Sequence, residues 1–164
     1  MPLDGAGIVS NRASPGHPVD HRAVDADPYG IDHDVATVAD LARQFGHHAG
    51  RAWFSGARAD EAAGVVTVFR IPNETFDGEL RLLLGTSVQI LLEDARYTRE
   101  ELTVAREEAW GFGDDLQIEA ITIPDDGSGI NVFVHAPVAD AQAVLSRALP
   151  GVARAHDAAL GVSV

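Results

Sequence analysis

Histidine and acidic residues near the amino terminus are the first residues whose types could do chemistry, because imidazole and carboxylate groups together bind divalent metals. Pro15 and Pro18 disfavour the helix that would bring His17 and His21 to one face. Solvated histidines on a flexible arm are therefore favoured, and we expect no metal site and no cofactor. His17, His21 and His33 are kept as weak candidates of a metal-binding alternative.

The segment 125–129 reads Asp-Asp-Gly-Ser-Gly and offers Ser128 as a candidate nucleophile. A catalytic serine needs a strained turn together with His and Asp partners that the fold brings to it. Asp and Gly residues supply instead the conformations that a hairpin turn requires. The segment also lacks the downstream acid of a calcium-binding EF-hand loop. The sequence therefore predicts a turn at this position.

Four pairs of adjacent carboxylates could be assigned to glycoside hydrolysis, which needs two carboxylates held across a cleft. Acids that are neighbours in sequence more commonly form a solvated face, so we interpret them as an acidic surface that steers an Arg-rich protein partner. The pairs are Glu93-Asp94, Glu100-Glu101, Glu107-Glu108 and Asp114-Asp115. Because no catalytic constellation is visible, we predict that the protein is not an enzyme.

Composition excludes several further classes of function. The 164 residues include 12 basic and 25 acidic side chains, which gives a formal charge of −13. Every basic residue is arginine and cysteine is absent, so disulfides, thiolate catalysis, zinc-thiolate sites and Schiff-base lysines are excluded. The negative charge disfavours nucleic acids and anionic membranes as partners.

The amino-terminal sequence favours a cytoplasmic protein. Residues 1–5 carry an acid rather than a basic run, and no long apolar stretch follows them, so no signal peptide is recognised. The longest apolar runs, at residues 82–84 and 90–92, are far shorter than a bilayer requires. We expect a soluble chain with no membrane partner.

The order of the segments predicts three regions. Residues 1–30 form a flexible arm rich in Pro, His and Asp, and residues 31–50 form a short amphipathic helix. Residues 51–164 form a duplicated α+β domain. Its halves cover about residues 51–95 and 116–157, and a connector helix over residues 98–110 lies across a surface between them.

Local patterns define the elements of each half as hairpin, helix and strand. Thr98 and Glu101 have the spacing of a capping box and start the connector helix. Between Ser87 and Asp94, Val88, Ile90 and Leu92 alternate with Gln89, Leu91 and Glu93, which predicts a strand. The apolar content of this strand favours a place in the interior of a sheet. At least two of the aromatic residues Trp53, Phe54 and Phe69 are expected in the core.

An internal repeat supports this organisation. Sliding the chain by 65 positions aligns the two halves without a gap and lays residues 65–69 over residues 130–134. Five identities fall at turn, helix-start and core positions: Asp60/Asp125, Gly64/Gly129, Pro72/Pro137, Leu80/Leu145 and Leu84/Leu149. We predict two ββαβ repeats with small antiparallel sheets, joined by the connector helix.

Several motifs together resemble a known family. Residues 52–57 read Ala-Trp-Phe-Ser-Gly-Ala, residues 79–81 Glu-Leu-Arg, residues 95–97 Ala-Arg-Tyr and residues 98–102 Thr-Arg-Glu-Glu-Leu. The apolar return strand of residues 64–68, Gly-Val-Val-Thr-Val, and the strand of residues 87–90, Ser-Val-Gln-Ile, complete the pattern. The chain over residues 51–157 resembles the pro-regions of α-lytic protease and the streptogrisins, which precede actinobacterial trypsin-like proteases. The resemblance implies a domain that assists the folding of a protease, inhibits it, and lays a carboxy-terminal strand and tail on the enzyme.

These observations together favour a non-catalytic protein-binding domain. It would act through a free sheet edge and an apolar carboxy-terminal tail, as a pro-region-like inhibitor, a folding assistant or an assembly subunit. The tail residues expected to bind the partner are Leu160, Gly161, Val162, Ser163 and Val164. The expected partner is a trypsin-like protease or a multi-subunit assembly. The alternatives are a scaffold or accessory subunit of a larger complex and a metal-binding protein.

Overall fold

Short strands alternate with amphipathic helices along the chain, because runs of alternating apolar residues are separated by turn-forming Gly, Asp and Pro residues. A computed structural model describes residues 34–160. The predicted arm over residues 1–30 lies outside the described residues. The elements are α1 (Val35–His48), β1 (Phe54–Asp60), β2 (Val65–Arg70), α2 (Glu74–Leu84), β3 (Gln89–Asp94), α3 (Arg99–Trp110), α4 (Gly113–Leu116), β4 (Ile118–Thr122), β5 (Ile130–Val134), α5 (Val138–Ala148), β6 (Ala153–Asp157) and a 3-10 turn (Ala158–Leu160).

The predicted α+β fold with two ββαβ units is confirmed. The first unit has the strand order β1-β2-β3, and the second has the order β4-β5-β6. In each unit the first two strands are antiparallel and the third is parallel to the middle strand. The sheets are therefore mixed, whereas purely antiparallel sheets were expected. The reason is that the helix after the middle strand returns the chain to the end from which that strand began.

The prediction that the strand ending at Asp94 lies inside a sheet is wrong. This strand, β3, pairs with β2 on one side and forms an edge of the first sheet. Ile90 and Leu92 pack against the first core, while Leu91 points to the opposite face and is 41% exposed. The apolar run therefore reflects one buried face plus one exposed leucine.

Two hydrophobic clusters form the cores of the two units. The first lies between α1, α2 and the first sheet, and its fully buried side chains include Val38, Phe54, Val66 and Leu80. Phe69 is also buried and Trp53 is 37% exposed, so the expectation that at least two of the three aromatic residues are buried is confirmed. The second core lies between α3, α5 and the second sheet.

Helix α3 has the capping box that the sequence predicts. The Thr98 hydroxyl accepts a hydrogen bond from the Glu101 N–H at 3.2 Å, and the Glu101 carboxylate accepts one from the Thr98 N–H at 2.8 Å. Leu102, Ala105 and Ala109 form its buried face. This face closes the second core, so the connector helix contributes to packing as well as to connection.

The internal repeat is real, but the two units are not aligned by a single offset. The buried residues Phe76 and Leu80 of α2 match Ala141 and Leu145 of α5 at the predicted offset of 65. In the middle strands the burial pattern matches at an offset of 64, and the bulges of β1 and β4 agree with this offset. A shift of one residue turns every side chain to the other face of a strand. The ungapped overlay therefore holds for the helices and is out of register in the strands.

The two units meet where the bulge of β1 packs against the turn before β5. The turn predicted at residues 125–129 is present, and the Ser128 N–H donates to the Asp126 carboxylate at 2.9 Å. The Tyr97 N–H donates to the Gly127 carbonyl at 3.1 Å. Gly127 has a φ of +66°, and a β-carbon placed on it would lie 2.5 Å from the Ser55 hydroxyl and 2.6 Å from the Ala95 side chain.

Gly127→Ala is expected to destabilise the protein by more than Gly64→Ala does. Both glycines have a positive φ, so each alanine costs about 1–2 kcal/mol from the backbone alone. A β-carbon on Gly64 has no described atom within 4 Å, whereas one on Gly127 has no room. Denaturant unfolding of the two variants compares the costs, and equal losses of stability would show that the junction is not tightly packed.

Candidate protein-binding edge

Most of the site residues suggested by the sequence lie outside the described part of the chain. This applies to His17, His21 and His33 and to residues 161–164 of the tail. Leu160 is the last residue of the 3-10 turn that follows β6. Within residues 34–160, no group of three or more His, Asp or Glu side chains could hold a metal ion. The eight paired acids of residues 93–115 are all exposed, which confirms the predicted acidic surface.

The edge of β1 is protected from further strand pairing. The Arg43 guanidinium, which α1 carries, donates a hydrogen bond to the Ala57 carbonyl at 2.8 Å. A bulge also interrupts the pairing of β1 between Phe54 and Gly56. Occupied backbone groups and bulges are two features that prevent an edge strand from pairing with a further strand.

The edge of β6 is protected by a side-chain amide. The Ala155 N–H donates to the Gln142 Oε1 at 2.8 Å, and the Gln142 Nε2 donates to the Ala153 carbonyl at 3.2 Å. Gln142 lies on α5, so the helix that covers the second core also satisfies the outer backbone groups of β6. The amide thereby takes the place that a neighbouring strand would occupy.

Gln142→Ala is expected to expose the β6 edge. Losing the amide removes the acceptor of the Ala155 N–H. Amide hydrogen exchange at Ala155 should therefore accelerate by roughly tenfold or more, which corresponds to a loss of about 1.4 kcal/mol in the free energy of local opening. Ser146→Ala is the matched control, because it removes the other partner of Gln142 Nε2 and leaves both contacts with β6. Unchanged exchange at Ala155 in Gln142→Ala would contradict the capping role.

The edge of β4 is shortened by a bulge. The register shifts between Ile118 and Ala120, and the Arg99 guanidinium donates to the Ile123 carbonyl just beyond the strand at 3.2 Å. An incoming strand would therefore find a distorted backbone at one end of β4 and an occupied carbonyl beyond the other.

The edge of β3 differs from the other three. Its six residues pair with β2 in continuous register. The Ala95 N–H donates to the Arg70 carbonyl at 2.8 Å, so the backbone N–H and C=O groups of Ala95 face β2. Because these groups alternate in direction along a strand, the backbone groups of Ile90, Leu92 and Asp94 face away from β2. In the described part of the chain, no side chain hydrogen-bonds to the outward backbone groups of these three residues. The edge is regular, and the part of the chain that the structure describes leaves it uncapped and accessible.

A buried arginine contacts the end of this edge strand. The Arg70 guanidinium binds the Asp77 carboxylate of α2 at 3.0 and 3.1 Å, and it also binds Asp94 at the end of β3. The Arg70 and Asp77 side chains are only 10% and 15% exposed. The hydrogen bond with Asp77 is the largest cause that raises the pKa of the Arg70 guanidinium; burial opposes it and the bond with Asp94 adds to it. One cation thus ties β2, α2 and β3 together.

Arg70→Met is expected to lower the free energy of unfolding by about 3 kcal/mol, because Asp77 would remain buried without its counter-charge. Arg81→Met is the matched control on the exposed face of α2, and it should cost less than about 1 kcal/mol. Urea unfolding followed by circular dichroism measures both variants. A loss of equal size in the two would mean that the ion pair does not stabilise the first unit.

A polar groove lies beside the carboxy-terminal end of β3. Its volume is about 320 Å³, and it separates the outer face of the first sheet from the second unit. The Arg58 guanidinium lies over the Phe69 ring at 5.3 Å from the ring centre, on the same face of the first sheet. The groove is lined by Phe69, Glu93, Asp94, Arg96, Asp126, Ser128 and Arg154. It can receive a polar side chain of a strand laid against β3.

Sequence reasoning proposed a free sheet edge without locating it. The residues that form the edge, Ile90 to Leu92, were assigned to the interior because their apolar run resembles a strand buried on both faces. The polar residues Gln89 and Glu93, two positions on either side of Leu91, mark the exposed face. Their alternation with Ile90 and Leu92 indicates a strand with one exposed face, but it carries no information on whether that strand lies at the edge of a sheet.

No model of a protein family matches the chain, and no curated protein sequence matches it. Within residues 34–160, no helix has both the length and the apolar character needed to cross a membrane. The fold therefore defines the structural class of the protein, which is an α+β protein of two ββαβ units. The edge of β3 is the feature from which we infer a function.

Proposed function

We propose that the chain is a non-catalytic protein-binding domain whose β3 edge receives an extended strand from a protein partner. The observation that carries the proposal is the contrast among the four sheet edges. Arg43 and Gln142 cap two of them and a bulge distorts a third, whereas β3 is regular over six residues and no side chain of residues 34–160 caps it. Proteins protect edges that must not pair, so an unprotected edge is suited to pairing.

Strand addition at β3 would use both backbone and side chains. The outward N–H and C=O groups of Ile90 and Leu92 would give the hydrogen bonds that supply affinity. Leu91, which is 41% exposed, and the groove beside Glu93 would contact alternate side chains of the added strand. Backbone pairing at an edge combined with side-chain pockets is a recurring mode of peptide recognition.

The resemblance to protease pro-regions supports the same class of function. On this proposal the domain acts in the cytoplasm as an inhibitor, a folding assistant or a subunit of an assembly. Its partner is a trypsin-like protease or a multi-subunit complex, and the tail from Leu160 to Val164 makes a second contact. The formal charge of −13 favours a basic protein surface over a nucleic acid.

The experiment is a capture of binding proteins from native lysate with four immobilised chains. These are the full chain, Leu91→Arg, the control Val104→Arg and a chain that ends at Asp157. Val104 is 50% exposed on α3, so the control adds the same charge at a similar exposure away from the edge. We expect Leu91→Arg to reduce the amount of captured protein by roughly tenfold or more, because a charge replaces an apolar side chain that the added strand would bury. Val104→Arg should retain the captured protein.

Mass spectrometry identifies the captured protein. Recovery of a trypsin-like protease that requires residues 158–164 would support the pro-region role, and recovery that does not require them would support an assembly subunit. Equal capture by Leu91→Arg and the full chain would overturn the assignment of binding to the β3 edge.

A further inference from the structure

The β3 strand is complementary to itself. It contains the run Gln-Ile-Leu-Leu-Glu over residues 89–93, which is nearly symmetric about Leu91. In an antiparallel pair of two copies with the two-fold axis at Leu91, each Gln89 lies opposite Glu93 of the other copy. Ile90 lies opposite Leu92, and the two Leu91 side chains lie opposite each other. Polar residues therefore meet polar residues, and apolar residues meet apolar residues.

The backbone of β3 has the orientation that this register requires. The N–H and C=O groups of Ile90 and Leu92 face away from β2, as the hydrogen bond from Ala95 to Arg70 fixes. Ile90 and Leu92 would thus form hydrogen-bonded pairs across the axis, with about four hydrogen bonds in total. Leu91 would form a non-hydrogen-bonded pair, in which the two α-carbons are about 4.5 Å apart and the side chains are closest.

The side chains on the two faces fit the same register. On the outer face the two Leu91 side chains, each 41% exposed in the single chain, would cover one another. The Gln89 amide can donate to the Glu93 carboxylate, which forms no ion pair within residues 34–160. The charge of Asp94 is already met by Arg70. Like charges directly opposite each other would destabilise a pair of strands, and this register has none.

The two neighbouring registers pair unlike side chains. Within residues 89–93, shifting the axis to Leu92 places Leu91 opposite Glu93. Shifting it to Ile90 places Leu91 opposite Gln89. Each of these registers sets apolar side chains against polar ones, so the axis at Leu91 is the one that the residues favour.

We propose that a second copy of this chain occupies the β3 edge and forms a closed two-fold dimer with one continuous six-stranded sheet. The inference rests on the proposed function, because it names the partner strand for the same edge. The outer edges of the joined sheet are the two β1 strands, which Arg43 and the bulge protect. Assembly therefore stops at two copies rather than continuing as a fibre.

Electrostatics predicts how this dimer responds to salt. Each copy carries a formal charge of −13, so two copies repel one another. Salt screens this repulsion, and dimerisation should therefore strengthen as ionic strength rises. A complex held by contacts between opposite charges would show the reverse dependence.

Cysteine substitution tests the register, because the native sequence contains no cysteine. Under mild oxidation, the full chain with Leu91→Cys should form a disulfide-linked dimer at least about tenfold faster than Leu82→Cys, since only the first pair of α-carbons lies within disulfide reach. Leu82 is 87% exposed on α2 and controls for accessibility. Gln89→Cys should not cross-link, because the two copies of residue 89 would be about 13 Å apart along the strands.

Sedimentation of the unmodified chain over a range of concentrations measures the reversible dimer, and circular dichroism checks the fold of each variant. A chain that stays monomeric at all concentrations, or equal cross-linking of Leu91→Cys and Leu82→Cys, would overturn self-pairing. Faster cross-linking of Gln89→Cys than of Leu91→Cys would overturn the register. Leu91→Lys and Leu91→Glu chains that associate only when mixed would support it, because opposite charges then meet at the axis.

The two proposals fail in different ways. A monomeric chain that loses a captured foreign protein on Leu91→Arg would leave the proposed function intact and remove self-pairing. A chain that dimerises through Leu91 and captures no foreign protein would establish the second copy as the partner and remove the protease or assembly partner.

Discussion

The ion pair between Arg70 and Asp77 is the interaction on which the first unit depends. Within residues 34–160, strand β3 has a neighbouring strand on one side only. It is held by backbone pairing with β2 and by the packing of Ile90 and Leu92 against the first core. Arg70 lies at the end of β2 and binds α2 and β3 at once. A buried cation needs such partners, because an unpaired charge away from water is costly. The contact with Asp77 therefore positions α2 against β2, and the same guanidinium reaches Asp94 at the end of the edge strand.

The two units use one position of the repeat differently. At the offset of 65 that aligns the helices, Asp77 of α2 corresponds to Gln142 of α5. In the second unit the amide reaches the edge strand β6 and satisfies its outer backbone groups. In the first unit the carboxylate is engaged by Arg70, and the outer groups of β3 are left accessible. The helix residue at this position thus binds a buried cation in the first unit and an edge strand in the second.

Local chemistry made much of the fold predictable from the sequence. The capping box of Thr98 and Glu101 involves neighbouring residues, and the turn at residues 125–129 depends on Asp and Gly within it. The direction of β3 and β6 and their places at the edges depend on strand order, which no local pattern encodes. The edge at Leu91 was missed for that reason. The caps from Arg43 and Gln142 were also invisible, because each joins residues from two different elements.

The junction between the units has a consequence for how the chain folds. Contacts within each unit join a hairpin, a helix and the strand that follows, so their separation in sequence is modest and they can form early. The close approach of Gly127 to Ser55 joins the two units across a far longer stretch of chain. Closing that long loop costs conformational entropy, so we expect the units to dock after the transition state. Weakening the junction should then speed unfolding and leave the folding rate almost unchanged.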